Sequence, residues 1–273
     1  MNKLYQVYQI SDSTGETLDR IFLALKAQFS DFESKTIHYS FTRTKNQIDK
    51  IIFKSKKEKN IIVLYTIVDK DLAKYMAEES KKNHIPCFEV LGNLIENFAK
   101  LLKKEASHKP SGQHILDDEY YKRIEAVQFT IAHDDGKVIS DLSNADVVLV
   151  GISRTSKTPT SVYLANRGYK VANIPIIPNK NIPRQLTEGD KKICVVGLVC
   201  DATRLLDVRR NRIQSINEDR PGDYTNEKKI LNELESSKQL FKRYNWPWID
   251  VTRKSVEETA ASIIKILDIL NSK

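Results

Sequence analysis

The chain has 273 residues and carries 44 Lys and Arg against 36 Asp and Glu, a formal net charge of +8. At about 100 to 200 residues per domain there is room for two cores, and a composition of 40% apolar and 29% charged residues excludes a disordered, collagen-like or coiled-coil chain. The basic surplus is not concentrated: residues 1–110 hold 19 basic and 14 acidic side chains and residues 111–273 hold 25 and 22, the mark of a Lys-rich solvated surface rather than a nucleic-acid face.

Cys87, Cys194 and Cys200 are odd in number and contain no CxxC pair, so neither a disulfide framework nor a structural zinc site is expected, and a reducing cytoplasm fits. The N-terminal stretch MNKLYQVYQISDSTGE is too polar for the apolar core of a signal peptide. The longest apolar runs, 61–68 and 147–152, fall far below the roughly 20 residues that span a bilayer. No membrane is expected as a partner.

In chain order, the first half alternates strand-like and helical segments, the pattern of a parallel sheet covered by helices. Strands are expected at 4–10, 36–41, 61–68 and 86–90, and helices at 16–29, 45–57, 71–82 and 94–102. Leu18, Ile21, Phe22 and Leu25 recur at helical spacing. Residues 103–114, KKEASHKPSGQH, are polar, hold Pro110 and Gly112 and lack apolar periodicity; they read as a linker. The expected domains are therefore 1–105 and 115–273. The second half predicts a helix at 117–126, a strand at 127–131, a turn at 132–136, strands at 146–150, 171–174, 193–199 and 248–251, and helices at 159–167, 204–213, 225–244 and 255–270. Asp250 and Thr252 stand where the last helix wants a cap. The fold class is α/β: two units with parallel sheets, the second a P-loop-like nucleotide-binding domain.

That last assignment rests on residues 145–168, ADVVLVGISRTSKTPTSVYLANRG. A β-branched strand ends at Gly151, the loop Ile152, Ser153, Arg154, Thr155 and Ser156 follows, and Lys157 and Thr158 open a helix. A phosphate loop needs this context: backbone N–H groups wrap the anion, the helix N-terminus adds positive potential, Lys neutralises charge and the hydroxyl holds Mg²⁺. The spacing is that of GxxxxGK[ST] except that Ser156 replaces the second glycine, which would take positive φ at lower cost. Arg154 is an added cation able to meet a phosphate. The alternative is a Ser/Thr-rich turn capping an ordinary helix. Asp201, at the end of ICVVGLVCD, is either the acidic partner of the Mg²⁺ site or a plain helix cap.

Three further clusters carry two readings each. SDSTGET, 11–17, is an anion site at a helix N-terminus or a capping box. In His133, Asp134, Asp135 and Gly136, a carboxylate is able to take a proton or bind Mg²⁺ with His133 orienting it, or the segment is a β-turn. Arg204, Arg209, Arg210 and Arg212 spread around one helix and read as solvated charge.

With these motifs in view, the chain resembles over nearly its whole length the regulatory proteins of pyruvate, phosphate dikinase, and their sisters that regulate phosphoenolpyruvate synthetase. The matching segments are ISDSTGET, AHDDG, VGISRTSKTPTSVYLANRGYKVANIP, GLVCDATRLLDVRRNR and WPWIDVTRKSVEETAA. Ser156 and Arg154 are that family's own form of the loop; Ala202 departs where a proline is expected. The resemblance implies a bifunctional enzyme that uses ADP to phosphorylate a threonine beside the dikinase's catalytic histidine, and removes that phosphate with inorganic phosphate, releasing pyrophosphate. The dikinase is the favoured target over the synthetase, and a homodimer is implied by the resemblance alone. On this reading Gly151 to Thr158 bind the nucleotide, Lys157 and Arg154 stabilise the transferring phosphoryl group, Thr158 and Asp201 hold Mg²⁺, and Asp135, or Asp134, is the base, with His133 beside it. A small-molecule kinase with the same loop and a non-catalytic nucleotide sensor are the competing readings.

Overall fold

The computed structural model describes residues 3–112, 118–177, 181–188, 193–215 and 223–272. The chain folds as two compact units, 1–115 and 116–273. The expected linker ends, and the expected 117–126 helix begins, within 113–117, which lie outside the described residues.

In the first unit the order is β1 (Tyr5–Ser11), α1 (Glu16–Lys26), β2 (Ser34–Tyr39), α2 (Lys45–Ser55), β3 (Ile61–Thr66), α3 (Lys70–Lys82), β4 (Cys87–Glu89) and α4 (Gly92–Leu102). The sheet is wholly parallel with order β2-β1-β3-β4. Both faces are covered, as parallel sheets require. Tyr8, Ile10, Val63 and Tyr65 pack with Ile48, Ile51 and Ile52 of α2 and Met76 of α3, while Val7 and Leu64 meet Leu18 and Phe22 of α1 on the other side.

The second unit runs α5 (Asp118–Ala132), β5 (Val147–Gly151), α6 (Lys157–Ala165), β6 (Val171–Pro175), α7 (Arg184–Thr187), β7 (Val195–Val199), α8 (Ala202–Ser215), α9 (Glu227–Arg243), β8 (Trp248–Asp250) and α10 (Val256–Asn271), with short 3-10 turns at Asp134–Gly136, Leu142–Asn144 and Asp223–Thr225. Its sheet, β6-β5-β7-β8, is again wholly parallel. Val147, Leu149 and Leu198 pack toward Leu164, Leu205, Ala260 and Ile263; Val148, Val150 and Val199 pack toward Leu142, Leu186, Phe241 and Trp246. In each unit the first strand is central and the order reverses beside it. The loop leaving that strand is where doubly wound sheets open a crevice.

Two expectations are corrected. Residues 127–131 form no strand; they continue α5. Ala126, Thr130 and His133 are buried at spacings of four and three, whereas Ile131 is 64% exposed, so helical burial overrides the β-branched run. The cap of α10 is Ser255, in a capping box with Glu258; Asp250 and Thr252 form their own turn before it.

Candidate active site

The loop between β5 and α6 is built by close packing. A Cβ on Gly151 would stand 2.5 Å from the Leu198 carbonyl oxygen and 2.8 Å from Thr155 Oγ1, so only glycine lets the strand end approach β7 this tightly. Buried Thr155 donates to the Ile152 carbonyl at 3.0 Å. Arg154 and Ser156 both take left-handed conformations, φ 71 and φ 60. Alternation of this kind turns successive N–H groups into a concave anion-binding nest. The residue that replaces the usual glycine thus accepts the positive φ the loop demands, at a cost of about 1–2 kcal/mol.

Lys157, the first residue of α6, is 6% exposed and its Nζ donates to the Ile152 carbonyl at 2.9 Å. The ammonium therefore lies across the loop rather than in solvent. Burial brings it down from 10.5 to about 8; Asp135 and then Asp134 pull it back up, while Arg154 and Arg209 push it down. A buried cation at a helix N-terminus attracts an anion.

The HDDG segment is carried to this loop by the edge of the sheet. β6 is the outer strand, and its outward N–H groups are satisfied by the end of α5: Val171 N–H donates to Thr130 Oγ1 at 3.1 Å and Asn173 N–H to the His133 carbonyl at 3.0 Å. This closes the exposed edge. It also places Asp134 beside Thr158, whose hydroxyl donates to Asp134 Oδ1 at 3.1 Å. Asn173 Nδ2 donates to both, at 2.6 Å to Asp134 Oδ1 and 3.0 Å to Thr158 Oγ1. Asp135 follows in a left-handed conformation, φ 55, and is exposed.

Two motifs separated by some fifteen residues thus share one site. Asn173 is the residue the sequence reading missed; an amide in the middle of the buried strand VANIP was its only signal, since such a group needs partners. Its Oδ1 is buried without a hydrogen bond. Hard oxygens 3.1 Å apart on Asp134 and Thr158 suit Mg²⁺, whose neighbouring octahedral ligands stand about 3 Å apart when bonds are about 2.0–2.1 Å.

The remaining expected residues are placed differently. His133 is buried, stacked on Phe129 at 3.8 Å, and its Nδ1 pairs with the Phe129 carbonyl at 2.8 Å. Its carbonyl braces β6, so its contribution to the site is through the backbone. Asp201 caps α8, its Oδ1 accepting from Thr203 and Arg204 N–H at 2.9 and 3.2 Å; the carboxylate oxygen beside Thr158 belongs to Asp134. Arg209, expected to be solvated, is 1% exposed and pairs with Glu233 at 2.7 Å. In the first unit the capping box is not formed: the cap of α1 is Gly15, φ 96, with no side-chain hydrogen bond. No group of three or more His, Cys, Asp or Glu able to hold a metal occurs among the described residues, and no helix among them is long and apolar enough to cross a membrane.

Residues 7–264 match the model of a kinase/pyrophosphorylase family. A protein of Pelagibacter ubique described as a pyruvate, phosphate dikinase regulatory protein is 58% identical over 98% of both chains. Proteins so described from Bartonella tribocorum and Rhizobium meliloti are 43% and 44% identical over 97% and 96% of this chain, and 96% of each relative. The match runs through both units, and the chain belongs to the kinase/pyrophosphorylase family.

Proposed function

We propose that this chain is a bifunctional serine/threonine kinase and phosphorylase of the cytoplasm that regulates pyruvate, phosphate dikinase. It inactivates that enzyme by moving the β-phosphate of ADP to a threonine near the dikinase's catalytic histidine. It reactivates it by passing the phosphate to inorganic phosphate, releasing pyrophosphate. The observation that carries this reading is the joining of an anion loop holding a buried lysine to a pair of carboxylates, with Thr158 and Asp134 in direct contact.

In the kinase direction Asp135 takes the proton of the threonine hydroxyl, whose oxygen bonds to the β-phosphorus as the bridge to the α-phosphate breaks and AMP leaves. Lys157, Arg154 and the loop N–H groups meet the charge on the transferring group, where fixed positive groups favour the transition state. In the other direction an oxygen of inorganic phosphate attacks the phosphothreonine, and the threonine oxygen leaves with a proton. Mg²⁺ bound by Thr158 and Asp134 would supply charge neutralisation for the phosphates. Asn173 holds those two oxygens together.

The test follows label. ADP labelled at the β-phosphate is incubated with this protein and with the dikinase, the synthetase or candidate metabolites. Label on a dikinase threonine is expected; label on the synthetase moves the target to that enzyme. Label on a metabolite, or on nothing, overturns the reading.

A further inference from the structure

The guanidinium of Arg209 is the largest fully buried side chain of the protein's described residues, and it reaches the anion loop from behind. From α8 its Nη2 donates to the Ser153 carbonyl at 3.4 Å and to Glu233 Oε2 at 2.7 Å, and its Nη1 donates to the Tyr224 carbonyl at 3.1 Å. The guanidinium carbon lies 4.6 Å from the centre of the Tyr224 ring. The phenol of Tyr224 in turn stands 3.1 Å from Ser153 Oγ and accepts from Arg154 Nε at 3.4 Å. Two elements thus converge on one residue of the loop, Ser153: α8 through its carbonyl and the Asp223–Thr225 turn through its hydroxyl.

We propose that Arg209 is a positioning residue that fixes the direction of the Arg154 N–H for anion binding, with Tyr224 as its strut and Glu233 as its counter-ion. A trans peptide holds C=O and N–H antiparallel. Gripping the Ser153 carbonyl toward the interior therefore turns the N–H of Arg154 away from Arg209, outward on the opposite face of the loop. Arg154 sits at φ 71, a conformation a non-glycine residue holds only where its surroundings enforce it. The enforcing group has to be planar and many-handed: a lysine offers one point charge, whereas a guanidinium bonds two carbonyls and a carboxylate at fixed angles. No contact of Arg209 with the transferring phosphate is invoked. The inference deepens the proposed function, and its bearing on ligand rests on that reading.

The test uses the full chain with Arg209→Lys, which keeps the charge for Glu233, and Tyr224→Phe, which keeps the ring and removes only the hydroxyl. Amide hydrogen exchange of 152–156 in the ligand-free protein reads the loop itself. Exchange at these amides is expected to quicken by about tenfold or more in Arg209→Lys and less in Tyr224→Phe, with the amides of β5 unchanged. Equal quickening throughout the second unit would mean a general loss of stability, and unchanged exchange would mean that Arg209 does not hold the loop; either overturns the proposal. Calorimetric binding of ADP and of inorganic phosphate reads the consequence, expected to weaken about tenfold in Arg209→Lys. Absence of ADP and phosphate binding in the unsubstituted protein would defeat the proposed function while leaving the exchange result to decide the positioning role.

Discussion

The two units set the same scaffold to opposite electrostatic ends. In each, the loop after the central strand enters its helix through a left-handed residue, Gly15 at φ 96 or Ser156 at φ 60. The second loop encloses Lys157. The first encloses Asp12, 4% exposed, whose Oδ2 accepts the Val68 N–H at 2.7 Å and whose carboxyl burial raises above its ordinary value. Two hydroxyls of that first loop accept hydrogen bonds: Ser11 Oγ from the Ser13 N–H and from Thr66, and Ser13 Oγ from Ser111. Both loops share a switch-point crevice and a helix N-terminus; they differ in the sign of the buried charge.

The substitutions that break this contrast hardest are at the carboxylates. Asp135→Asn is expected to lower the kinase rate by about a hundredfold or more, in the range of a lost general base, with ADP binding retained in calorimetry. Asp12→Asn, in the equivalent loop of the first unit, is expected to leave both transfer rates within about threefold. A kinase rate kept by the first variant would remove the base assignment.

The next effect is pH dependence. With Lys157 at about 8, anion binding recruits the protonated form, so affinity for inorganic phosphate is expected to fall above pH 8, approaching tenfold per pH unit. Lys157→Met should abolish that slope. Stability moves the other way: between about 8 and the ordinary 10.5 the unfolded chain binds more protons than the folded one, so the stability assigned to Lys157 rises with pH across that window. Comparing denaturant midpoints of the two proteins over the same range checks the sign.

Smallest is Ser156→Gly. Relief of the left-handed serine, less the added freedom of the unfolded chain, should raise stability by about 0.5–1 kcal/mol in urea titration. A loss of stability would mean that the Ser156 side chain supports the loop.

Much of this was legible in the sequence, for local reasons. The alternation of apolar β-branched strands and amphipathic helices located both sheets, and GISRTSKT located the loop because strand, spacing and helix start are contiguous. The joining of HDDG to the loop was not legible: it depends on Thr130 and His133 closing the edge of β6, a pairing between residues some forty apart. Arg209 was misread because a helical wheel describes neighbours on one helix, whereas its partners, Ser153, Tyr224 and Glu233, come from elsewhere in the chain. Strand 127–131 failed because V-Q-F-T-I alternates as a strand does, and only the burial of Ala126, Thr130 and His133 reveals the helix.

On the proposed function, one anion loop serves both directions of phosphoryl transfer. Replacing Lys157 with Met keeps the buried stem and removes the charge; with the folded state verified by thermal unfolding, both the ADP-dependent phosphorylation and the phosphate-dependent dephosphorylation of the dikinase are then measured on the same preparation. Both are expected to fall by more than about a hundredfold, the scale of losing a charged donor to the transition state. Survival of either rate within about threefold of the unsubstituted protein would contradict it.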